Sequence, residues 1–273
     1  MLRCLSTYLF LRHRLNPGLL DRIAAHPVEA VEVFAARQHF DYTDREHVQE
    51  LAGWFKSHTL TAWSLHAPLF PDREMGRAGA PAVNLLHPEK SRRIDAMDEM
   101  KRALETAELI PFQNMIVDLG ERGDSWSQRT LEHALTALEH LDAFAQPLGV
   151  RVLVENLTNE PTTPEHLIEI LTVGHLKRIG VCLDLGHAYR TVGIDAAIQT
   201  LGSRVRSVHV HDNHGTRDEH LWPGEGTIDW KRTVDAVKAL ESKPAVVLEV
   251  DSSLSAAPGF SLDRVDASLA LFD

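Results

Sequence analysis

The sequence predicts an α/β fold, a single (β/α)8 TIM barrel, and three observations lead to this prediction. Short β-rich runs alternate with longer segments whose apolar residues recur every three or four positions. Strands that alternate with helices pair in parallel through helical crossovers. Eight such units in 273 residues match the size of this barrel. Because no linker, repeat or low-complexity stretch interrupts the pattern, we predict one domain over residues 1–273.

The eight predicted strands are short runs rich in apolar and β-branched residues. They cover 3–10, 30–34, 60–66, 115–118, 151–155, 180–184, 205–211 and 245–250. The predicted helices cover 44–57, 91–109, 127–144, 164–172, 195–201, 230–240 and 261–271. Two helix starts carry capping residues, since Thr43 is followed by Glu46, and Thr163 by Glu165.

Composition limits the classes of partner. The formal net charge of −11 disfavours nucleic acid and anionic membrane surfaces, which both attract Lys and Arg. Cys4 and Cys182 fall in separate apolar runs, so we predict no disulfide and a reducing, cytoplasmic location. The apolar start ends at Arg12 without a small-residue cleavage site, and no stretch approaches the roughly 20 apolar residues of a membrane span.

Two connections are long for a compact domain, 67–90 and 213–227. Both follow predicted strand ends. Loops of this length are usually functional or disordered, and in a barrel the loops after the strands build the active site. We therefore expect the active site at the carboxyl ends of the strands.

Each of the last four strands ends with a side chain that can bind a metal. These side chains are Glu155, Asp184, a histidine at 209 or 211, and Glu249. Parallel barrel strands are buried on both faces, and a buried carboxylate is costly unless it is paired or bound to a cation. The carboxyl ends of the strands converge, so we predict one shared site. Its mixed oxygen and nitrogen ligands suit Mn²⁺, Mg²⁺, Co²⁺ or Zn²⁺.

Two alternatives accompany this prediction. The buried glutamates could instead pair with Arg151, Arg204 or Arg206, but these arginines lie near strand starts, at the opposite end. His209 and His211 share a strand face, so either could bind the metal while the other lines the pocket or orients a ligand.

Four stretches of the sequence carry a resemblance to a known family. They are Leu65-His66-Ala67-Pro68, Val154-Glu155-Asn156, Leu183-Asp184-Leu185-Gly186-His187 and the run from Ser207 to Trp230. Together they resemble the xylose isomerase-like TIM barrel superfamily of sugar phosphate isomerases and epimerases, which includes endonuclease IV. The resemblance covers nearly the whole chain in the right order.

The resemblance implies that Glu155, Asp184, His209 and Glu249 bind one central divalent metal. His209 is preferred over His211 because the family spaces its histidine three residues before an acidic position, here Asp212.

It also implies a metal-dependent isomerase or epimerase of a small polyhydroxylated substrate. The metal would bind the carbonyl and stabilise the ene-diolate, while Glu155 and Glu249 exchange the proton α to the carbonyl. The side chains expected to hold or surround the substrate are His66, His187, His211, Trp63 and Trp222, although a tryptophan near a strand is more often plain core. The resemblance leaves the oligomeric state undetermined, with a homo-oligomer among the alternatives.

The alternative implied by the same resemblance is a phosphodiesterase that acts at abasic DNA sites with several metals. Endonuclease IV uses additional ligands that match His66, His187, Asp218 and His220. Its usual His-Pro-Gly after strand four is here Asp118-Leu119-Gly120, which changes the charge and reach of that ligand.

The loop 67–90 and the turn after it favour this alternative through their local positive charge, which comes from Arg73, Arg77, Lys90, Arg92 and Arg93. The overall acidity of the chain favours the sugar enzyme. A third hypothesis is a barrel that binds a metal and a sugar-like ligand without isomerising it, or that acts as a lyase or dehydratase.

Overall fold

The computed structural model describes residues 1–72, 81–256 and 260–273. Eight parallel strands close into a barrel in which each strand pairs with the next and the last pairs with the first. This confirms the predicted fold class. The strands are β1 Arg3–Ser6, β2 Ala30–Phe34, β3 Thr61–His66, β4 Asn114–Val117, β5 Arg151–Glu155, β6 Gly180–Asp184, β7 Val205–Val210 and β8 Ala245–Leu248.

Helices connect the strands on the outside of the barrel. They are α1 Pro17–Ala24, α2 Arg45–Ser57, α3 Lys90–Leu104, α4 Gln128–Ala145, α5 Pro164–Val173, α6 Leu185–Arg190, α7 Ile194–Leu201, α8 Trp230–Ala239 and α9 Asp263–Leu269. Short 3₁₀ segments lie at Thr7–Phe10, Glu105–Glu108, Gln146–Leu148, Glu160–Thr162, Leu254–Ala256 and Ala270–Phe272.

The sequence analysis did not predict α1 and α6. The start of α1 has a clear signal, because the Asn16 side chain accepts a hydrogen bond from Leu19 N and Pro17 occupies the first turn. The six residues of α6 are too few for a periodic apolar pattern, and Asp184 caps this helix by accepting from His187 N at 2.6 Å.

Several strands end earlier than predicted. β1 stops at Ser6, because its hydroxyl accepts from Tyr8 N and caps the 3₁₀ segment Thr7–Phe10. β8 stops at Leu248, although Glu249 N still donates to Val210 O at 3.0 Å. The chemically important side chains at these ends therefore lie just beyond the regular ladder.

The main apolar core lies between the strands and the helices. Inside the barrel, small apolar layers contain Cys4 and Cys182, which are both buried and free. The two cysteines lie in different layers of the interior. Above these layers, toward the carboxyl ends of the strands, the interior becomes polar.

The predictions about the basic loop and about membrane spans can be compared with the described residues only. Arg73 and Arg77 of the basic loop lie outside the described residues, whereas Lys90, Arg92 and Arg93 form the start of α3. Among the described helices, none combines the length and apolarity needed to cross a membrane.

Candidate metal centre

The four ligands predicted for the central metal converge at the carboxyl end of the barrel. His209 Nδ1 lies 3.5 Å from Glu155 Oε1, 3.9 Å from Asp184 Oδ2 and 3.3 Å from Glu249 Oε2. All four side chains are buried. They come from β5, β6 and β7 and from the end of β8, so closure of the barrel brings together residues that are nearly 100 positions apart.

The orientation of the His209 ring depends on Glu32, which the sequence analysis missed. His209 Nε2 lies 3.1 Å from Glu32 Oε1, and the Ser64 hydroxyl donates to Glu32 Oε2 at 2.7 Å. Glu32 is completely buried in the middle of β2. A lone carboxylate inside an apolar strand was the available signal. With its proton on Nε2 toward Glu32, the neutral ring presents the Nδ1 lone pair to the other three ligands.

These residues fit a divalent cation. His209 Nδ1 and Glu155 Oε2 are buried and have no hydrogen-bond partner among the described residues. A lone pair that faces three carboxylates is repulsive unless a cation lies between them, and buried carboxylates are costly without one. One imidazole nitrogen and three carboxylates form the mixed ligand set of Mn²⁺, Co²⁺ or Zn²⁺ sites.

The carboxylates of the centre favour their ionised form. Burial alone would raise the pKa of Glu249, but the positive charge that His209 carries when its ring is protonated outweighs burial and holds that pKa below its usual range. A divalent cation in place of that proton would leave the His209 ring neutral and would lower the pKa in the same direction. The same balance of burial against His209 lowers the pKa of Glu155. For Asp184, the charges of His187 and His211 overcome burial and lower the pKa.

His211 is placed as a residue that positions Asp184. Its Nε2 hydrogen-bonds both Asp184 oxygens, at 3.1 and 3.0 Å, and its ring stacks on His220 with centroids 3.8 Å apart. Gly186 leaves the space for this ring, because a Cβ built there would lie 2.1 Å from His211 Cε1. His211 is fully buried and supports Asp184 through these hydrogen bonds.

A second group of ligand-type side chains lies beside the centre. His187 Nε2 is 2.9 Å from Asp218 Oδ2, and His220 Nε2 is 3.5 Å from the same oxygen. Arg190 Nη1 lies 3.6 Å from the other Asp218 oxygen. Donor atoms of His187, His211, Asp218 and His220 are close enough together to share one ion.

On the opposite side, His66 joins the centre to Asp118. Its Nε2 is 3.6 Å from Glu155 Oε2 and 3.8 Å from Asp118 Oδ1, and its ring stacks on Phe34 at 4.5 Å. Burial, followed by the charge of Glu155, raises the pKa of Asp118 to about 7. The residue that replaces the family's histidine therefore still points into the site.

A cavity of about 250 Å³ opens above these groups. Its lining includes Asp118, His187 and Asp218 together with Arg122 and Thr158. Parts of the long 67–90 connection also line it, as predicted for a loop that follows a strand. A small polar molecule in this cavity would contact His187 and Asp218 of the second group and Asp118 beside the centre.

The two tryptophans proposed as sugar-stacking surfaces are not at the site mouth. Trp222 is 2% exposed, and its ring packs near Phe260 and under the guanidinium of Arg264, 4.7 Å from its centroid. This placement favours the core alternative for Trp222. Trp63 lies with the amino ends of the strands, because it lines a cavity there together with Arg151.

Comparisons with known proteins agree with this architecture. The profile of a family described as xylose isomerase-like TIM barrel matches residues 20–267. An uncharacterized protein of Methanocaldococcus jannaschii is 26% identical over 256 residues, covering 89% of this chain and 82% of that protein. A probable endonuclease 4 of Halobacterium salinarum is 30% identical over 166 residues, covering 54% of this chain and 59% of that protein.

Two solved structures share the fold along the whole chain. A D-tagatose 3-epimerase-like protein superposes with a TM-score of 0.79 at 22% identity, covering 99% of this chain and 95% of that one. The IOLI protein with a bound zinc atom superposes with a TM-score of 0.77 at 18% identity, covering 100% and 95%.

Proposed function

Since this chain belongs to the xylose isomerase-like TIM barrel family, we propose that it is a divalent-metal-dependent isomerase or epimerase. Its substrate would be a small polyhydroxylated molecule, an open-chain sugar or sugar phosphate. The observation that carries the proposal is the convergence of Glu155, Asp184, Glu249 and the unpartnered Nδ1 of His209 on one buried point below an open cavity.

Glu155, Asp184, His209 and Glu249 would hold the metal, with Glu32 fixing the His209 ring. When bound, such a cation polarises a carbonyl oxygen and so acidifies the neighbouring C–H bond. The zinc-bound IOLI protein, which shares this fold, supports a divalent ion here. His211 holds Asp184 in place, so the ligand carboxylate needs little reorganisation when the ion binds.

Glu155 and Glu249 are the groups that move the proton. They come from strands separated by β6 and β7, and both have a lowered pKa, so each begins as a carboxylate able to accept a proton. One carboxylate takes the proton from the carbon beside the carbonyl and later releases it to water. The other takes up a proton from water and delivers it to the substrate, so both glutamates end as carboxylates. His187, which lines the cavity, and His66, which lies between Glu155 and Asp118, would hydrogen-bond substrate hydroxyls.

Deuterium exchange tests this chemistry without knowledge of the final product. Ketohexoses, including D-tagatose, and their phosphates would be incubated with the metal-loaded protein in D₂O and followed by proton NMR. We expect deuterium at the carbon beside the carbonyl for at least one substrate. Glu155→Gln and Glu249→Gln should each slow the exchange by about 10²-fold or more, the usual contribution of a general base or acid.

Glu165→Gln is the matched control, because Glu165 is exposed on α5 and does not line the cavity. It should exchange deuterium at the wild-type rate. Circular dichroism would confirm that all three variants fold. Exchange that continues unchanged in both site variants would remove the proposed roles of Glu155 and Glu249.

A second candidate function is phosphodiester cleavage at abasic DNA sites. It is favoured by the group formed by His187, Asp218 and His220, and by the relative named a probable endonuclease 4. Metal content separates the two functions, since one ion per chain favours the sugar enzyme and two or three favour the nuclease. Incision of an abasic duplex at physiological salt, absent from Glu249→Gln, would establish the nuclease instead.

A further inference from the structure

A second large cavity, of about 410 Å³, lies at the amino end of the barrel. Residues at strand starts line it, including Asn114 of β4, Arg151 of β5 and Ala245 of β8. Arg151 and the metal-site residue Glu155 lie at opposite ends of β5. Four residues of strand rise about 13 Å, so this cavity is separate from the metal centre.

Two irregularities in the strand pairing direct side chains into this cavity. Between β2 and β3 the register passes from Ala62 to Ser64 and leaves out Trp63. Between β6 and β7 it passes from Val205 to Ser207 and leaves out Arg206. A bulge of this kind re-aims the extra side chain, and both Trp63 and Arg206 line the cavity.

Gly180 provides the space for the Arg206 side chain. A Cβ built on Gly180 would lie 2.9 Å from Arg206 Cγ and 2.7 Å from Leu153 Cδ2. Any larger residue at the start of β6 would displace the arginine stem. The absence of a side chain at Gly180 therefore sets the path of the Arg206 stem, which is partly buried at this end of the barrel.

The cavity concentrates positive charge in an acidic protein. Arg151, Arg178, Arg206 and Lys243 line it. Arg178 pairs with Asp142 at 3.0 Å, but within the described ranges no carboxylate lies within 4.0 Å of the other three cationic groups. Burial, and then the nearby charge of Arg151, lowers the pKa of Arg206. These cations repel one another without a compensating anion from the described chain.

The cavity also contains hydrogen-bond donors that lack partners. Asn114 is 4% exposed, and its Nδ2 has no hydrogen-bond partner among residues 1–72, 81–256 and 260–273. The same holds for Trp63 Nε1 and Ser242 Oγ. A buried donor without a partner is costly. Arg206 Nη1 donates to the carbonyls of Ser203 and Val205. Lys243 Nζ donates to the carbonyl of Lys238, so within the described part of the chain these two cations have neutral partners only. A ligand with negative charge and several acceptor oxygens would satisfy both the cations and the three donors.

We propose that this amino-end cavity binds a small phosphate-bearing anion, such as a phosphomonoester. A phosphate group offers several acceptor oxygens and close to two negative charges near neutral pH, which matches Arg151, Arg206 and Lys243 together with Asn114. The volume is within the range of small-ligand pockets and exceeds the needs of a single phosphate group. The apolar side chains of Leu2 and Val150 line the remainder and can contact a short carbon skeleton.

Calorimetric titration of the full-length protein with inorganic phosphate and with glycerol 3-phosphate tests this site. We expect one saturable site for glycerol 3-phosphate. Arg206→Met keeps most of the side-chain volume and removes the charge, and it should weaken binding about tenfold or more. Asn114→Leu removes the buried donor and should weaken binding severalfold. If Arg206→Met does not fold, Arg151→Met at the exposed rim replaces it and should weaken binding in the same direction.

Arg45→Met is the matched control. Arg45 is exposed on α2, and its loss changes the net charge by the same amount. Binding to this variant should equal binding to the wild type, which excludes a general charge effect. The proposal is overturned if neither phosphate compound binds saturably at millimolar concentration. It is also overturned if Asn114→Leu and the arginine variants bind as tightly as Arg45→Met, because the phosphate would then lie elsewhere, including at the metal centre.

Discussion

Gly186→Ala should damage the metal centre without touching any metal ligand. A Cβ at this position would lie 2.1 Å from His211 Cε1, 2.6 Å from Nδ1 and 2.7 Å from Nε2. The ring cannot yield freely, since its Nε2 bonds Asp184 and its face stacks on His220. The added methyl must therefore separate His211 from Asp184 or shift the start of α6.

The substitution should lower both the stability of the protein and its affinity for the metal. Overpacking a well-filled interior costs about 1–3 kcal/mol of stability. Loss of a residue that orients a metal ligand weakens metal binding by about 10- to 100-fold. We expect both effects together, measured as the urea midpoint of unfolding and as zinc affinity in competition with a chromogenic chelator.

Gly53→Ala is the matched control, because a Cβ on Gly53 in α2 meets no atom within 4 Å. It should leave zinc affinity unchanged and add about 0.5–1 kcal/mol of stability, since alanine is the better helix residue. If Gly186→Ala kept the zinc affinity and the unfolding midpoint of the wild type, the role given to His211 would be incorrect.

Three further predictions concern Glu32, His39 and Trp222. Glu32→Gln should lower zinc affinity about tenfold or more, because a neutral amide makes His209 a weaker ligand; equal affinity in the chelator assay would remove that role. Burial lowers the pKa of His39 to about 4, so between pH 6.5 and 4 this imidazole is protonated only in the unfolded chain. The free energy of unfolding should therefore fall by about 3 kcal/mol as the pH drops through that range. Urea titrations at several pH values measure this loss of stability, and His39→Gln should reduce it. His140→Gln, at an exposed position, is the control. The prediction is contradicted if His39→Gln loses as much stability between pH 6.5 and 4 as His140→Gln does. Trp222→Phe should lower the free energy of unfolding by about 1–3 kcal/mol in the same assay and leave KM unchanged. A raised KM would indicate that Trp222 contacts the substrate.

Much of the metal centre could be predicted from the sequence, because its signal is local. Glu155, Asp184 and Glu249 each follow an apolar strand, and parallel strands in a barrel bring their carboxyl ends together. The period-two pattern identified two histidines on one face, and the family spacing selected His209. The structure places His209 Nδ1 against all three carboxylates, while His211 bonds only Asp184 among them.

The remaining parts depend on contacts that the local pattern does not record. Glu32 lies in mid-strand, and its role is visible only when barrel closure brings β2 opposite His209. Trp222 lies within the 213–227 connection, and no local pattern indicates that Phe260 and Arg264 cover its ring. A bulge shifts a side chain by one position, so the alternation of apolar and polar residues could not place Trp63.

The unpartnered buried atoms nearest the two proposed ligands have opposite character. In the candidate metal centre they are the acceptors Glu155 Oε2 and Asp118 Oδ1, together with the Nδ1 lone pair that His209 directs at its carboxylate neighbours; the donor Arg190 Nε lies beside Asp218 instead. At the amino end, Asn114 Nδ2 and Trp63 Nε1 are donors surrounded by cations. A buried acceptor is satisfied by a cation or a hydroxyl, and a buried donor by an anion. A cation at the amino end would meet these donors, and an anion at the carboxyl end would meet these acceptors. The same physical requirement therefore supports both proposals, a metal at one end and a phosphate at the other.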